Sequence, residues 1–406
     1  MEATAVAGID VHKAMLAVVM GQEGDGEQHW IRRKFGTTVA EIRHLAAWLA
    51  EHKVERVVME STAQYWRPVW LGLEPHFVLH LAQPLSNAAP RGRKTDFADA
   101  LRLVKRLLAD ELRLSFVPDA EQRPWRHLSR TRTKLLSDRV RLQNQIEALL
   151  EEGQIKLSVV ISDLLGVSGR RILAVLAAGP STPEQLGQLA DGRLHASQEQ
   201  LAEALAGQLH PVYRTVLELH LERLTVLDRQ VERLEKELHA AQAACQDTIR
   251  RLCAIPGVGL SAARQLLAEL GPLADAFPSA GHLASWVGVC PGRKESAGVS
   301  TSDRSAKGNR AMRRVLTQMA WAAVRVKGSL FENLFRRWVP RLGPQQAIWA
   351  TAHRLVRLIW KILHQGVEYT EFGPLLNPAA IERRKRRLIR ELRKLGVSID
   401  DSPLLA

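Results

Sequence analysis

Four carboxylates in the first hundred residues occupy positions that are typical of metal ligands. Asp10 lies between two short apolar runs, Glu60 ends another, and Asp96 and Asp99 open a helical pattern. Acids three residues apart share one face of a helix, and acids at strand ends could meet them at one point. Because clustered carboxylates repel and desolvate each other, such a cluster requires divalent cations. Mg2+ prefers oxygen ligands, and two ions about 4 Å apart would clamp a phosphodiester during displacement.

A second segment that could do chemistry is basic and rich in small residues. Residues 293 to 327 contain nine Lys or Arg residues against Glu295 and Asp303. Guanidinium groups in such a segment orient phosphates. Ser296 lies among the small residues, and a serine hydroxyl attacks phosphorus only in a setting that activates it. The pattern alone does not single out this serine, because others follow closely (Ser300, Ser302 and Ser305).

Residues 252–262 read as the turn of a helix-hairpin-helix. Pro256 ends one helix, and Gly257 and Gly259 permit a tight hairpin. The helix that follows would point free backbone N–H groups at a nucleic-acid phosphate. A plain connection between two helices without a ligand is the alternative.

The composition indicates a polyanionic partner, with nucleic acid first. The chain of 406 residues is 46% hydrophobic and 25% charged, with a net charge of +14. This describes a globular protein with room for two or three domains. The three cysteines form no CxxC pair, which suits a reducing compartment and disfavours structural zinc. No apolar run approaches the ~18 residues of a membrane span. We therefore predict a cytoplasmic, nucleoid-associated protein with no membrane partner.

Residues 1–115 alternate strand-like and helix-like patterns, which predicts a mixed α/β domain. Residues 39–52 read as an amphipathic helix. A ribonuclease-H-like arrangement has this order, with its acids at strand ends and on a late helix. The predicted strands are Val6–Ile9, Ala14–Met20, Trp30–Lys34, Arg56–Met59 and Phe77–Ala82.

Residues 120–250 read as all-α. A heptad seam runs through Leu224, Leu227, Val231, Leu234 and Leu238, and predicts coiled-coil pairing with the helix at about 125–150 or with another subunit. Between these helices, a segment at about 153–211 contains several Gly and Pro residues that interrupt the helical pattern. We interpret that segment as a small helical insertion without an assigned role.

The remaining chain is predicted as a mainly helical, basic domain at 251–372 and a basic tail at 373–406. Eight of the 14 residues from Ile381 to Lys394 are Lys or Arg. So many like charges favour contact with a nucleic-acid backbone over a merely solvated helix. The tail residues predicted to make this contact are Arg383, Arg384, Lys385, Arg386 and Arg387.

Five motifs follow one another along the chain: Gly8-Ile9-Asp10-Val11, Met59-Glu60-Ser61-Thr62, Lys94-Thr95-Asp96 with Asp99, Ile255-Pro256-Gly257-Val258-Gly259, and Arg293 to Gly298 followed by Lys307-Gly308-Asn309. In type and order they resemble the motifs of the DEDD transposases of insertion sequences, which are bridge-RNA-guided recombinases. The resemblance runs over nearly the whole chain, although the middle is longer than in compact members.

The resemblance implies a RuvC-like (ribonuclease-H-fold) N-terminal domain, a coiled-coil linker and a helical transposase domain. It places a metal-binding tetrad on Asp10, Glu60, Asp96 and Asp99, and a nucleophile on Ser296. Two Mg2+ ions, or Mn2+ in their place, would assist a phosphoserine intermediate. A structured guide RNA would pair with target and donor DNA, and a homo-oligomer (dimer or tetramer) would form composite active sites. Further nucleic-acid contacts are expected at Gly257, Gly259, Arg293, Lys294, Lys307, Arg310, Arg313 and Arg314.

Other functions remain open from the sequence. A metal-dependent RuvC-like nuclease or Holliday-junction resolvase would use the tetrad alone and act by hydrolysis. A non-catalytic nucleic-acid scaffold would use only the charge. His127-Leu128-Ser129-Arg130 matches the short HxxR motif of tyrosine recombinases, which is weak support for that class. An actin-like ATPase is disfavoured because no glycine-rich phosphate loop follows Asp10.

Overall fold

The protein consists of two compact units, Met1–Val117 and Pro118–Ala406. The structure is a computed structural model. It describes residues 5–22, 30–60, 63–87, 95–189, 196–292, 294–296, 299–302, 305–371 and 385–392, with the backbone alone at 22, 85, 294–296 and 299–302. Each unit is built around its own helices and core.

The first unit contains a mixed five-stranded sheet. Its strands are β1 (Ala5–Val11), β2 (Met15–Gln22), β3 (Ile31–Gly36), β4 (Val54–Glu60) and β5 (Val78–Ala82), in the spatial order β3-β2-β1-β4-β5. The first three strands are antiparallel neighbours, whereas β1, β4 and β5 run parallel. The predicted α/β fold is therefore confirmed, with strand ends shifted by one or two residues. The sheet is compatible with a ribonuclease-H-like domain.

Helices cover both faces of this sheet. On one face lie α1 (Val39–Glu51) and α2 (Trp66–Leu73), which bury apolar residues against Ala7 and Ile9 of β1. On the other face lies α3 (Asp96–Leu108), whose Leu103, Val104 and Leu107 pack on Val6, Val58 and Ala82. Successive residues of a strand point to opposite faces, so this packing fixes which side chains of β1 and β4 face α3.

Helix α3 begins with a cap and lies unusually close to β1. The Thr95 hydroxyl accepts a hydrogen bond from the backbone N–H of Ala98 at 3.3 Å, which satisfies a free donor at the helix start. A Cβ added at Gly8 would lie under 3.0 Å from the carbonyl oxygen of Ala100. Only glycine at position 8 permits this approach, which brings the first turn of α3 to the end of β1.

The second unit is mostly helical and contains two long helices, α4 (Gln122–Glu152) and, later in the chain, Pro211–Ala241. They contain the predicted helix at about 125–150 and the heptad segment. Arg132 pairs with Glu235 at 2.7 Å, and Arg139 pairs with Asp228 at 3.0 Å. Arg139 follows Arg132 on α4, whereas Asp228 precedes Glu235 on the other helix. The two helices therefore run antiparallel.

The segment between the long helices forms a helical tip with its own core. Its helices are α5 (Leu157–Val160), α6 (Val167–Ala178), α7 (Pro183–Gly187) and α8 (Gln198–Ala204), and the second long helix is α9 (Pro211–Ala241). Leucine and isoleucine side chains of α6 and α8 pack with Leu150 of α4 and Leu217 of α9. The tip therefore closes the far end of the α4–α9 pair.

The described residues of the rest of the second unit form further helices and a β-hairpin. They are α10 (Gln246–Cys253), α11 (Leu260–Leu270), α12 (Ala280–Val287), β6 (Lys294–Ser296), β7 (Val299–Ser302), α13 (Arg310–Ala323), α14 (Leu330–Leu342) and α15 (Pro344–Gln365). Residues 385–392 of the basic tail are also helical. Across the described ranges, no helix has both the length and the apolar character required to cross a bilayer.

A buried ion-pair network joins the start of α4 to α11. The Glu269 side chain is 2% exposed and accepts two hydrogen bonds from Arg130, at 2.7 and 2.9 Å. The guanidinium of Arg126 lies 3.3 Å from the same carboxylate, and burial lowers the pKa of Arg126 to about 10. The HxxR match at 127–130 therefore has a structural explanation, because its arginine pairs with Glu269.

The close packing at Gly8 leads to a first prediction. Gly8→Ala should destabilise the protein by about 1–3 kcal/mol, since the new methyl group must push α3 away from β1. Thermal unfolding would show a lower midpoint. Gly179→Ala is the matched control, because a Cβ at Gly179 would meet nothing within 4 Å. An unchanged midpoint for Gly8→Ala would show that α3 does not depend on this contact.

Candidate metal centre and serine hairpin

The alternation of β1 and β4 directs two predicted acids toward α3. Val6 and Val58 face that helix, so Asp10, four residues after Val6, and Glu60, two after Val58, lie on the same side. Ile9 is paired with Met59 in parallel register. Asp10 and Glu60 therefore lie at the carboxyl ends of neighbouring strands, on the face that α3 covers.

Asp96 and Asp99 lie in the first turn of α3. Because the Gly8 contact brings this turn to the end of β1, all four predicted acids gather at one end of one sheet face. The backbone positions thus follow the expected arrangement of strand-end acids and a helical acid pair.

His12, which sequence reasoning did not select, lies between two of the predicted acids. Its Nε2 atom lies 3.2 Å from an Asp10 carboxylate oxygen and 3.4 Å from an Asp96 oxygen. Ligand atoms of Asp10, His12 and Asp96 all fall within 4.8 Å of one another. The strand alternation contained a signal, since His12 follows Asp10 by two residues and continues the same face.

The other two acids are held by different neighbours. Asp99 pairs with Arg102 one turn along α3. Glu60 accepts a hydrogen bond from the side-chain amide of Asn87 at 2.9 Å. Among the described residues, the cluster with metal-ligand spacing contains Asp10 and Asp96 but not these two.

Electrostatics identify Asp10 as the centre of the cluster. Burial raises the pKa of its carboxyl above the ordinary value; His12 opposes this shift, and Asp99 and Asp96 add to it. A folded-state pKa above the unfolded one means that ionised Asp10 costs stability, and that the cost appears as pH rises through this pKa. The protein alone therefore compensates the ionised form of Asp10 only in part.

The donor set fits a divalent cation. Two carboxylates supply hard oxygen ligands, and a cation between them would offset the repulsion that raises the pKa of Asp10. The imidazole nitrogen of His12 suits Mn2+ better than Mg2+, which takes oxygen ligands almost exclusively. Asp10, Asp96 and His12 are the residues that would hold the ion, with Glu60 and Asp99 beside them.

Ser296 lies in the second unit, at the end of β6. It pairs with Val299 of β7 across the turn of a two-stranded hairpin, and Glu295 pairs with Ser300. Lys294 opens the same strand. The side chains of these hairpin residues lie outside the described atoms.

The Lys307-Gly308-Asn309 motif forms the start of α13. A Cβ at Gly308, whose φ is +53°, would lie under 3.0 Å from the carbonyl oxygen of Val287. The Asn309 side chain accepts a hydrogen bond from the N–H of Met312 at 3.0 Å, and its amide lies 3.4 Å from Glu269. Glycine and asparagine here serve close packing and helix capping, while Lys307 is exposed.

The predicted nucleic-acid arginines of α13 differ in their surroundings. Arg310 and Arg314 are exposed. Arg313 instead donates to the carbonyl oxygens of Gly288 and Ala306, at 2.6 and 2.5 Å. Its guanidinium also lies 4.5 Å from the ring centre of Trp349. Arg313 therefore braces the loop that precedes α13.

The predicted hairpin turn joins α10 to α11. Gly257 has φ of +81°, and a Cβ there would lie under 3.0 Å from the backbone of Ala323 in α13. This glycine thus serves packing within the unit. Gly259 precedes α11 without a side-chain cap, and a Cβ there would meet no atom within 4 Å. The first turn of α11 is therefore the open part of this turn.

The remaining predicted contacts are Arg293, which precedes β6, and the cations of the tail. Arg293, Arg383 and Arg384 lie outside the described residues. Lys385, Arg386 and Arg387 are exposed on the helix at 385–392, and Arg387 lies 3.6 Å from Glu391.

Comparison with known proteins identifies the family. A family model for DEDD transposases of the IS110 type matches residues 7–154, and the model "Transposase IS116/IS110/IS902 family" matches residues 249–336. The chain belongs to the DEDD transposases of insertion sequences. The first match contains the acidic cluster and the second contains the serine hairpin, so both candidate regions lie in segments that define the family.

Individual relatives agree with this assignment. The chain is 26% identical over 286 residues to the transposase for IS1328 of Yersinia enterocolitica, covering 69% of this chain and 75% of the relative. It is 24% identical over 371 residues to the transposase for IS1111A of Coxiella burnetii, covering 90% and 91%. The protein is thus a DNA transposase, and its DEDD domain implies the use of divalent metal.

The raised pKa of Asp10 leads to a prediction on stability. Asp10→Asn should raise the unfolding midpoint of the metal-free transposase at neutral pH, because it removes a half-buried charge that Asp96 and Asp99 repel. Added Mn2+ should stabilise the unsubstituted protein, by about 2.7 kcal/mol at a hundred times its Kd. Added Mn2+ should leave the unfolding midpoint of Asp10→Asn unchanged, as measured by thermal unfolding.

Glu55→Gln is the control for this experiment, because Glu55 is an exposed carboxylate on β4 outside the cluster. It should respond to Mn2+ as the unsubstituted protein does. Equal stabilisation of Asp10→Asn by Mn2+ would place the metal elsewhere.

Proposed function

We propose that this transposase cuts and rejoins DNA strands through a phosphoserine intermediate at Ser296, assisted by metal at the acidic cluster and guided by a structured non-coding RNA. The observation that carries the proposal is the gathering of Asp10, Glu60, Asp96 and Asp99 at one end of the sheet in a DEDD transposase. The N-terminal unit is then a RuvC-like domain, and α4 with α9 forms the coiled-coil linker.

The acidic residues hold and orient the cofactor. Asp10, Asp96 and His12 provide the closest ligand atoms, and Asn87 fixes one oxygen of Glu60. A divalent cation held by these residues would supply Lewis-acid polarisation of the scissile phosphate and would offset its developing charge. Mg2+ or Mn2+ fits this role, as one ion or a pair.

The serine supplies the covalent step. Its Oγ forms a new P–O bond while the bond to one DNA strand breaks, the serine proton leaves to a base, and the departing oxygen is protonated. Attack by a hydroxyl of the exchanged strand then reverses these changes and releases the serine. Because each step exchanges one phosphoester for another, rejoining requires no ATP. The two units must meet on DNA for this step, from one chain or from two chains of a dimer or tetramer.

Nucleic-acid binding is supported by the net charge of +14 and by the exposure of the predicted contacts. Lys307, Arg310, Arg314 and the tail cations Lys385, Arg386 and Arg387 are all exposed. The free first turn of α11 after Gly259 suits a phosphate, as in a helix-hairpin-helix. These cations would contact the guide RNA as well as target and donor DNA, in the nucleoid of a prokaryotic cytoplasm.

Hydrolytic cleavage and passive scaffolding are less consistent with these findings. A nuclease or junction resolvase would need only the acidic cluster, whereas the second family match covers the serine hairpin. A scaffold would need no metal-ligand spacing at Asp10, His12 and Asp96. Strand products separate the reactions, since hydrolysis leaves free ends and recombination leaves chimeric DNA.

Removing the proposed nucleophile tests the mechanism. Ser296→Ala should abolish a covalent protein–DNA adduct, trapped by denaturation and detected by gel shift, because no other group then forms the phosphoester. Nucleic-acid binding should survive. Ser300→Ala is the matched control on the opposite strand of the hairpin and should retain the adduct. A persistent adduct in Ser296→Ala would rule out this serine.

The guide RNA is tested by sequencing the RNA that copurifies with the transposase. We expect one discrete, folded species encoded beside the transposase gene. The tetrad variant Asp10→Asn should retain this RNA, since binding it requires no chemistry. Recovery of a random mixture of cellular RNA would contradict guidance and leave only charge attraction.

A further inference from the structure

A cavity of about 590 Å³ lies in the second unit, between α4, α11 and α13. The α4 wall is one helical face, with spacings of three and four residues. Most of the polar lining residues are Arg, Lys, Ser or Thr. The cationic lining residues are Arg130, Lys134, Arg141, Arg310 and Arg314.

The cavity is strongly cationic. Glu269 is its one acidic lining residue, and this carboxylate is already paired with Arg130. Arg141 pairs with Asp138. In the described part of the chain, Lys134, Arg310 and Arg314 form no ion pair with a carboxylate. Unpaired cations gathered around one space repel each other, so an anion there would stabilise the unit.

Hydroxyl side chains accompany these cations. Ser129, Thr133 and Ser137 line the cavity from α4. The Ser137 hydroxyl donates to the Thr133 carbonyl oxygen at 3.0 Å and accepts from the Arg314 guanidinium at 3.4 Å. Arg, Lys, Ser and Thr together are the side chains that commonly bind phosphate and sugar oxygens of nucleic acids. Lys134, Arg310 and Arg314 are exposed, so a polymer could enter and leave along the helices.

A second cavity of about 400 Å³ shares Arg310 and Arg314 with the first. Its lining includes Trp349 and Arg313, whose guanidinium lies over the indole ring. Aromatic rings and stacked guanidinium groups bind the faces of unpaired bases. A cationic cavity beside such a surface suits an unpaired strand, in which the phosphates and the bases are both accessible for binding.

We propose that these adjoining cavities bind the sugar-phosphate backbone of an unpaired nucleic-acid strand. Lys134 and Arg314 contact its phosphates, and an adjacent base lies on the Trp349 side. The inference deepens the proposed function by adding a strand-binding site in which α4 takes part. It rests on the nucleic-acid part of that proposal and not on Ser296 chemistry.

The test is equilibrium binding of the full-length protein to fluorescent oligonucleotides in EDTA, so that no cleavage is required. The probes are single-stranded DNA, single-stranded RNA of the same sequence, and duplex DNA. Lys134→Gln and Arg314→Gln should each raise the Kd for a single strand about three- to tenfold. Each should also reduce the slope of log K against log salt by about 0.7, the value for one lost phosphate contact.

Lys236→Gln is the matched control, because Lys236 is exposed on α9 and lines neither cavity. It should leave affinity unchanged, and Lys134→Arg should restore it. A loss confined to DNA or to RNA supports the site and identifies the strand. Equal losses for Lys134→Gln and Lys236→Gln, or an equal loss on duplex DNA, would overturn the proposal. Adduct formation at Ser296 is measured separately, so either hypothesis can fail alone.

Discussion

The repulsion and desolvation of acidic side chains at the end of β1 is the constraint on which the first unit depends. Asp10 is half-buried beside Asp96 and Asp99, and its raised pKa records the cost. The fold imposes this cost through Gly8, which lets α3 approach β1. An arrangement that destabilises the free protein is typical of a site whose stability comes from its ligand. In a DEDD transposase, that ligand is a divalent cation.

The second unit depends on the opposite kind of interaction, in which a buried carboxylate is compensated by neighbouring cations. Glu269 binds Arg130 and approaches Arg126 and Asn309, which come from α4 and from the start of α13. Removing Glu269 would leave Arg126 as an uncompensated buried charge, a change that commonly costs about 3–5 kcal/mol. The network therefore joins the long helix to the helices around the serine hairpin.

The sequence was most informative where local periodicity determines structure. The α/β pattern of the first 115 residues and the strand-end positions of Asp10 and Glu60 followed from alternation and apolar runs. His12 was missed because its importance depends on where α3 places Asp96. The pairing of Arg130 with Glu269 could not be inferred, since 139 residues separate the partners. The strand-binding cavity was missed for the same reason, because three distant helices form its walls.

The antiparallel pair of α4 and α9 also fixes the distance between the cationic cavity and the helical tip. From Arg130, at the Glu269 network, to Leu150, in the core of the helical tip, α4 rises by about 30 Å at 1.5 Å per residue. A strand that followed α4 from the cationic cavity to the tip would therefore have to cover this distance. Shortening both helices by whole turns would shorten that span in steps, without altering either end.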